Sequence, residues 1–308
     1  VGPLLGGLLI EFGGWRATFA LNIPLALVAL LLGYLRLPKA AAAPPQSRRL
    51  VSRLDLPGMG LFCAMLVSLL LFLMNLRVSS WYLLTISVFA GAAFAFRELR
   101  AQYPFIDLRV LGGNPALLAT YGRAIVAYVV SYAFLYGFTQ WTQEGFGLSA
   151  FHAGLVQIPL FLTGIGISIV FGRRQGVKSK LVIGGLGQIV ACLLMLTLTG
   201  GSPLWMLLLV ALIFGIPQGL NNLALQNSVY FQADPERTAS SFGLLRTFAY
   251  IGSMIASAAT ASSFGENADT GGMHHLAWIM LAAGGLFFLV TVFDRSLTRT
   301  RPTDSVAS

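Results

Sequence analysis

The sequence predicts an all-α polytopic membrane protein of about ten transmembrane helices, and three observations predict it. Of 308 residues, 56% are hydrophobic and 10% charged, against about a quarter charged in an ordinary soluble domain, too few to cover a water-facing surface. The apolar residues fall in runs near the roughly 20 needed to cross hydrocarbon, separated by short polar breaks. Because these runs are continuous rather than alternating, a closed β-barrel is excluded.

Taken in order, span 1 occupies residues 1–12 and is truncated. Val1 opens inside an apolar stretch with neither an initiator Met nor the basic n-region of a signal peptide, so the sequence reads as a fragment. Span 2 covers 17–36 and ends at KAAAAPPQSRRLVSR (39–53), whose Pro, Ala and basic content marks an interdomain linker. Spans 3 and 4, at 56–76 and 80–97, are parted only by the short break around Arg77. Span 5 covers 117–140 and span 6 covers 151–172. GRRQGVKSK precedes span 7 at 181–199, and spans 8, 9 and 10 follow at 203–226, 239–262 and 274–293.

The net charge of +9 is distributed as a membrane topology signal. One alternate set of breaks holds Arg36, Lys39, Arg48, Arg49, Arg53, Arg97, Arg100, Arg109, Arg173, Arg174, Lys178, Lys180, Arg237, Arg295, Arg299 and Arg301, and the other only Arg16 and Arg77. The first set and the C-terminus are therefore expected in the cytoplasm. Short basic clusters between apolar runs argue against nucleic-acid binding. Cys63 and Cys192 lie inside apolar stretches and read as small buried hydrophobes, not a disulfide.

The opening VGPLLGGLLIEFGGWRATFALNIPLALVAL has a physical use: Gly2, Gly6 and Gly7 admit a neighbouring helix, and Pro3 removes a backbone donor and bends the span. A generic small-residue packing face reads the same run. The stretch resembles the antiporter motif in the fifth span of fourteen-span drug:proton antiporters of the major facilitator superfamily, and Gly14, Trp15, Arg16, Phe19, Asn22 and Pro24 match the approach to their sixth span. PFIDLRVLGGN (104–114) resembles the loop before their C-terminal six helices, and DPERTASSFGLLRTFAYIGS (234–253) their penultimate hairpin. GRRQGVKSK resembles a degenerate copy of the superfamily's Gly-rich basic loop, and serves equally as a positive-inside anchor.

The resemblance implies that residues 1–36 are the last two helices of an N-terminal transporter domain, 37–55 a cytoplasmic linker and 56–100 two extra central helices. It makes 115–294 a complete C-terminal six-helix domain and 295–308 a cytoplasmic tail. It further implies a multi-pass protein of the inner (plasma) membrane and proton-coupled efflux of drug-like, lipophilic or cationic compounds by alternating access. The proton gradient stands in place of a cofactor. In a Gram-negative cell it also implies a periplasmic adaptor and an outer-membrane channel as partners.

One-sided polar stripes mark where a substrate sits in such a protein. At 100° per residue, Gly215, Gln218, Gly219, Asn222 and Gln226 share one face of span 8, and Pro217 kinks it. In span 9 Gly243, Arg246, Thr247, Tyr250, Ser253 and Ser257 share another face. Span 5 places Tyr121, Tyr128, Tyr132 and Thr139 together, with Arg123 opposite and snorkelling. Gln157 beside Pro159 adds a candidate in span 6. The predicted cavity residues are Tyr128, Tyr132, Gln157, Gln218, Asn222, Gln226, Arg246, Thr247, Tyr250 and Ser253; interhelical hydrogen bonding is the competing reading of the stripes. Spans 7 and 10 carry almost no polar residue and read as lipid-facing, which agrees with the third and sixth helices of the superfamily's domains being peripheral.

All the acidic residues fall at span ends or in loops, so a proton carrier at the midplane is expected in helices upstream of Val1, with Glu144 as a marginal substitute. No Gly-rich Lys-Ser/Thr phosphate loop supports ATP-driven transport. No metal site is expected, since His152 stands apart and His274 and His275 diverge by about 100° on a helix. A lipid-linked transferase is a remote alternative that lacks a cluster of acids and histidines. Within the fold, transport of a sugar, organic acid or siderophore is the closer alternative, and an anionic substrate would suit Arg246 better than the tyrosines.

Overall fold

The computed structural model describes residues 2–36, 55–74, 78–101, 104–106, 108–109, 114–172, 176–265, 267–294 and 297. Residues 37–54 of the linker expected at 37–55, Arg173 and Arg174, and all of the tail expected at 295–308 except Leu297 lie outside the described residues. Every regular element among those described is helical: α1 Gly2–Ala20, α2 Asn22–Arg36, α3 Leu56–Met74, α4 Trp81–Arg100, α5 Pro115–Glu144, α6 Ala150–Gly172, α7 Val177–Met195, α8 Leu204–Gln232, α9 Thr238–Phe264 and α10 Thr270–Phe293.

Nine stretches among the described residues are long and apolar enough to cross a membrane. The tenth expected span is the short one. Gly14 takes φ +67° and breaks α1, so the membrane-length helix that follows runs Gly13–Leu35 and only the residues before Gly13 remain for span 1. A left-handed φ is open to glycine at little cost. Elsewhere the expected boundaries shift by a few residues. α7 begins earlier than expected because Lys178 and Lys180 lie on the helix, and α8 continues to Gln232.

Side-chain caps start some helices of the main bundle. Asn114 accepts from the Leu117 amide at 3.1 Å with Pro115 following, and Asp269 accepts from the Gly272 amide at 2.7 Å. Each cap satisfies a donor that a helix N-terminus leaves unpaired.

Helices α5 to α10 share the core. α8 packs along both α6 and α7, α5 along α9, and α10 along α7 and α5. Towards the α5 C-terminus the core is aromatic: Phe134 stacks on Phe214 at 3.9 Å and on Phe138 at 4.8 Å, with Trp141 buried beyond. The other end is filled by Leu117, Tyr121, Leu181, Leu225, Leu244 and Phe287. α7 and α10 each turn one apolar face outward, as Ile183, Leu186, Val190 and Leu193 do, but they are not lipid-facing throughout. α7 buries Gln188 and packs its other face on α8 and α10.

Arg123 departs from expectation. It does not snorkel: its side chain is 1% exposed and paired with Asp294 just past α10. Its second amino group donates to the Thr120 hydroxyl at 2.8 Å, Thr120 donates to Gln232 Oε1 at 2.7 Å, and the Asn114 amide donates to the Gln232 carbonyl at 2.6 Å. Lys178 Nζ reaches the Asp294 carbonyl at 3.1 Å. One network thus ties the ends of α5, α7, α8 and α10. A periodicity argument made on α5 alone has no view of a counter-charge on another helix.

α3 and α4 pack on each other, and α3 touches α9. Asp55 closes this hairpin, accepting from Arg97 Nε at 2.9 Å and Nη2 at 2.7 Å and from the Gly58 amide at 3.0 Å. The Arg97 guanidinium beside Asp55 holds its carboxyl below the usual carboxylate range, against the upward push of burial. A depressed acid stabilises the fold above its ordinary value, and that contribution disappears as pH falls through the lower folded value. Asp55→Asn should therefore lower the melting temperature at neutral pH, and the gap from the parent protein should close below about pH 4, as a pH series of thermal unfolding in detergent would read.

Candidate functional site

The polar side chains of α5, α8 and α9 converge on an open face of the bundle. Asn222 is the junction: its Oδ1 accepts from the Tyr128 hydroxyl at 3.3 Å and from Gln226 Nε2 at 2.7 Å. Beside it a pocket of about 330 Å³ is lined by Tyr128, Gln226, Phe242, Gly243, Leu245 and Arg246. On the other flank of Asn222, a second pocket of about 420 Å³ opens between α6 and α8 and includes Phe161, Ser168, Gln218 and Asn222. A third, of about 450 Å³, lies along the C-terminal part of α5 at Tyr136, Thr139, Gln140 and Glu144.

A ladder of rings runs along α5 between the first and third pockets. Tyr128 and Tyr132 have centroids 6.1 Å apart, and Tyr132 and Tyr136 5.5 Å apart, with interplanar angles of 32° and 34°. On a regular helix Tyr136 sits about 80° round from Tyr128. The chain forms a π-helical turn at Phe134–Phe138, whose slower rotation per residue keeps Tyr136 close to the line of its predecessors. Sequence periodicity therefore misses Tyr136, and Gln140 with it.

The structure brings Tyr128, Gln218, Asn222, Gln226 and Arg246 together, and Tyr132 joins through its ring contacts. Thr247, Tyr250 and Ser253 lie further along the same side of α9. Tyr250 is 61% exposed, whereas the hydroxyls of Thr247 and Ser253 bond back to their own helix at the carbonyls of Gly243 and Tyr250. Gln157 stands apart: it is fully buried at the interruption of α6, with its amide on Thr139. Tyr121 is also withdrawn, donating to the Ser241 carbonyl at 2.9 Å with its ring stacked on Phe248 at 5.0 Å.

Gly215 and Gly219 belong to the stripe by periodicity but serve a different purpose. A Cβ on either would lie 2.5 Å from a carbonyl oxygen of α6, that of Leu160 or of Gly164. Those two glycines set the helix separation; Gln218, Asn222 and Gln226 beside them set the chemistry. In the N-terminal run, a Cβ on Gly7 would lie 2.5 Å from the Ala150 carbonyl oxygen at the start of α6, while around Gly6 the space is open. Of Gly2 and Pro3 only the helical backbone is described. Among the described residues no group of His, Cys, Asp and Glu could hold a metal ion.

A bundle of membrane-length helices opening on a polar, ring-lined face is the architecture of a membrane transporter. The chain belongs to the Major Facilitator Superfamily, whose family model matches residues 1–257, and which comprises transporters, not enzymes. It is 30% identical to the uncharacterized MFS-type transporter YwoD of Bacillus subtilis over 97% of this chain and 67% of that protein. To the riboflavin transporter RibZ of Clostridioides difficile it is 25% identical, over 86% of this chain and 58% of that protein. To the methylenomycin A resistance protein of Streptomyces coelicolor it is 26% identical, over 94% and 61%. The chain thus spans some 58% to 67% of the length of these relatives.

Proposed function

We propose that the chain is the larger part of a proton-coupled exporter of drug-like, lipophilic compounds that works by alternating access. The observation that carries this reading is the convergence of Tyr128, Gln218, Asn222, Gln226 and Arg246 on one open face between α5, α6, α8 and α9. Polar side chains inside membrane spans are costly unless they meet one another or a water-filled cavity; here Tyr128, Asn222 and Gln226 hydrogen-bond to one another and line open pockets, which supports the reading. Relatives that transport riboflavin and confer methylenomycin A resistance support a small organic solute.

In this reading α5 to α10 form the C-terminal domain, α3 and α4 are the two extra central helices of a fourteen-span antiporter, and α1 and α2 are its fifth and sixth spans. The domain rocks against a partner domain, and protonation at a carboxylate outside α5 to α10 sets affinity at the cavity. The protein lies in the plasma membrane with its C-terminus in the cytoplasm, in keeping with the basic loops. Cells expressing the full-length protein should extrude a planar fluorescent dye at a rate that collapses on adding a protonophore. Efflux that persists without the gradient would overturn proton coupling, and no dye efflux would overturn the drug-export reading.

A further inference from the structure

Among the described residues, the pocket between Tyr128 and Arg246 holds a charge without a counter-charge. Arg246 is the only Lys, Arg, His, Asp or Glu among its lining residues Tyr128, Gln226, Phe242, Gly243, Leu245 and Arg246, and the residue is exposed. Among the described residues no carboxylate pairs with it, whereas Arg97 joins Asp55 and Arg123 joins Asp294. Arg246 stands eight residues past Thr238, where α9 begins, about 12 Å along the axis at 1.5 Å per residue. Leaving an arginine at that depth without an anion or water carries a cost.

The rest of the lining points the same way. Tyr128 and Phe242 offer two rings, while Gln226 is already turned to Asn222. A planar aromatic body would lie against the rings, with an acidic group at the guanidinium, whose fork matches a carboxylate in a bidentate pair. A planar cation would find the same rings and a like charge within the same 330 Å³.

We infer that Arg246 selects planar aromatic acids as substrates of this site, with the carboxylate or phenolate at its guanidinium and the ring against Tyr128 and Phe242. This rests on the export reading above and replaces the cation suggested by the tyrosines alone with an anion. Two readouts separate the two ideas: equilibrium binding to the purified full-length protein in detergent, and uptake into proteoliposomes driven by a proton gradient. Fluorescein, a planar acid, and ethidium, a planar cation of similar size, serve as probes.

Fluorescein should bind more tightly than ethidium, and Arg246→Gln should weaken fluorescein binding about ten- to a hundredfold, the range for losing a charge-assisted hydrogen bond. Arg246→Lys should recover part of the loss, and ethidium binding should stay level or improve in Arg246→Gln. If fluorescein binds through Arg246 but neither dye moves, the preference of Arg246 for a planar acid stands and the export reading falls. If ethidium binds and moves while Arg246→Gln leaves both dyes unchanged, the inference falls and export stands. Failure of both dyes to bind the monodisperse protein overturns the inference.

Discussion

Arg123→Ala is expected to destabilise the helical bundle by about 3 kcal/mol, the low end of the range for breaking a buried ion pair. The low end applies because Asp294 keeps 15% of its side chain exposed while Arg123 keeps 1%, so the abandoned carboxylate can draw partly on water. Loss of the guanidinium also removes the donor to Thr120, which in turn holds Gln232 at the end of α8. The damage should therefore concentrate where α5, α7, α8 and α10 meet. Amide exchange of the intact protein should rise first at the α5 N-terminus and at Gln232, with the aromatic region around Phe134 and Phe214 protected for longer. Arg123→Met with Asp294→Asn removes both charges and should recover part of the loss. If the double variant proved as unstable as Arg123→Ala alone, the pair would have no special place in the fold.

The fold was legible because hydrophobic runs near membrane length admit few alternatives in lipid, where backbone groups must be satisfied within the segment. In α1 the break falls at Gly14, which takes a left-handed φ two residues past the end expected for span 1. The site was legible one helix at a time. Span 8 gave Gln218, Asn222 and Gln226, and span 9 gave Arg246, because a polar stripe has a single-helix signature. What a stripe does not contain is its partner. Gly215 and Gly219 share a stripe with Gln218 yet face the α6 backbone, and Arg123 looks stranded until Asp294 arrives from α10. Tyr136 was hidden by a π-helical turn, since a count of 100° per residue assumes that the helix never changes pitch.

The second large effect is expected at the crossing of α6 and α8, where one contact predicts opposite outcomes for its two sides. A Cβ added at Gly219 would meet the Gly164 carbonyl oxygen at 2.5 Å and the Gly164 Cα at 3.2 Å, whereas a Cβ added at Gly164 would find Gly215 O at 3.5 Å and Gly219 N at 3.8 Å. The first is a collision with backbone, which cannot rotate away; the second is ordinary van der Waals contact. Gly219→Ala should cost about 2–3 kcal/mol as overpacking, and adding Gly215→Ala, one turn away against the Leu160 carbonyl, should leave little folded protein in detergent. Gly164→Ala should be close to neutral. Helix association in lipid depends on such close backbone approach, and Gln218 and Asn222 flank Gly219 in the pocket wall. The protein that survives Gly219→Ala should therefore also lose dye binding. Equal tolerance of Gly219→Ala and Gly164→Ala in thermal unfolding would show that the two helices do not cross at this separation, and the cavity built on that crossing would have to be redrawn.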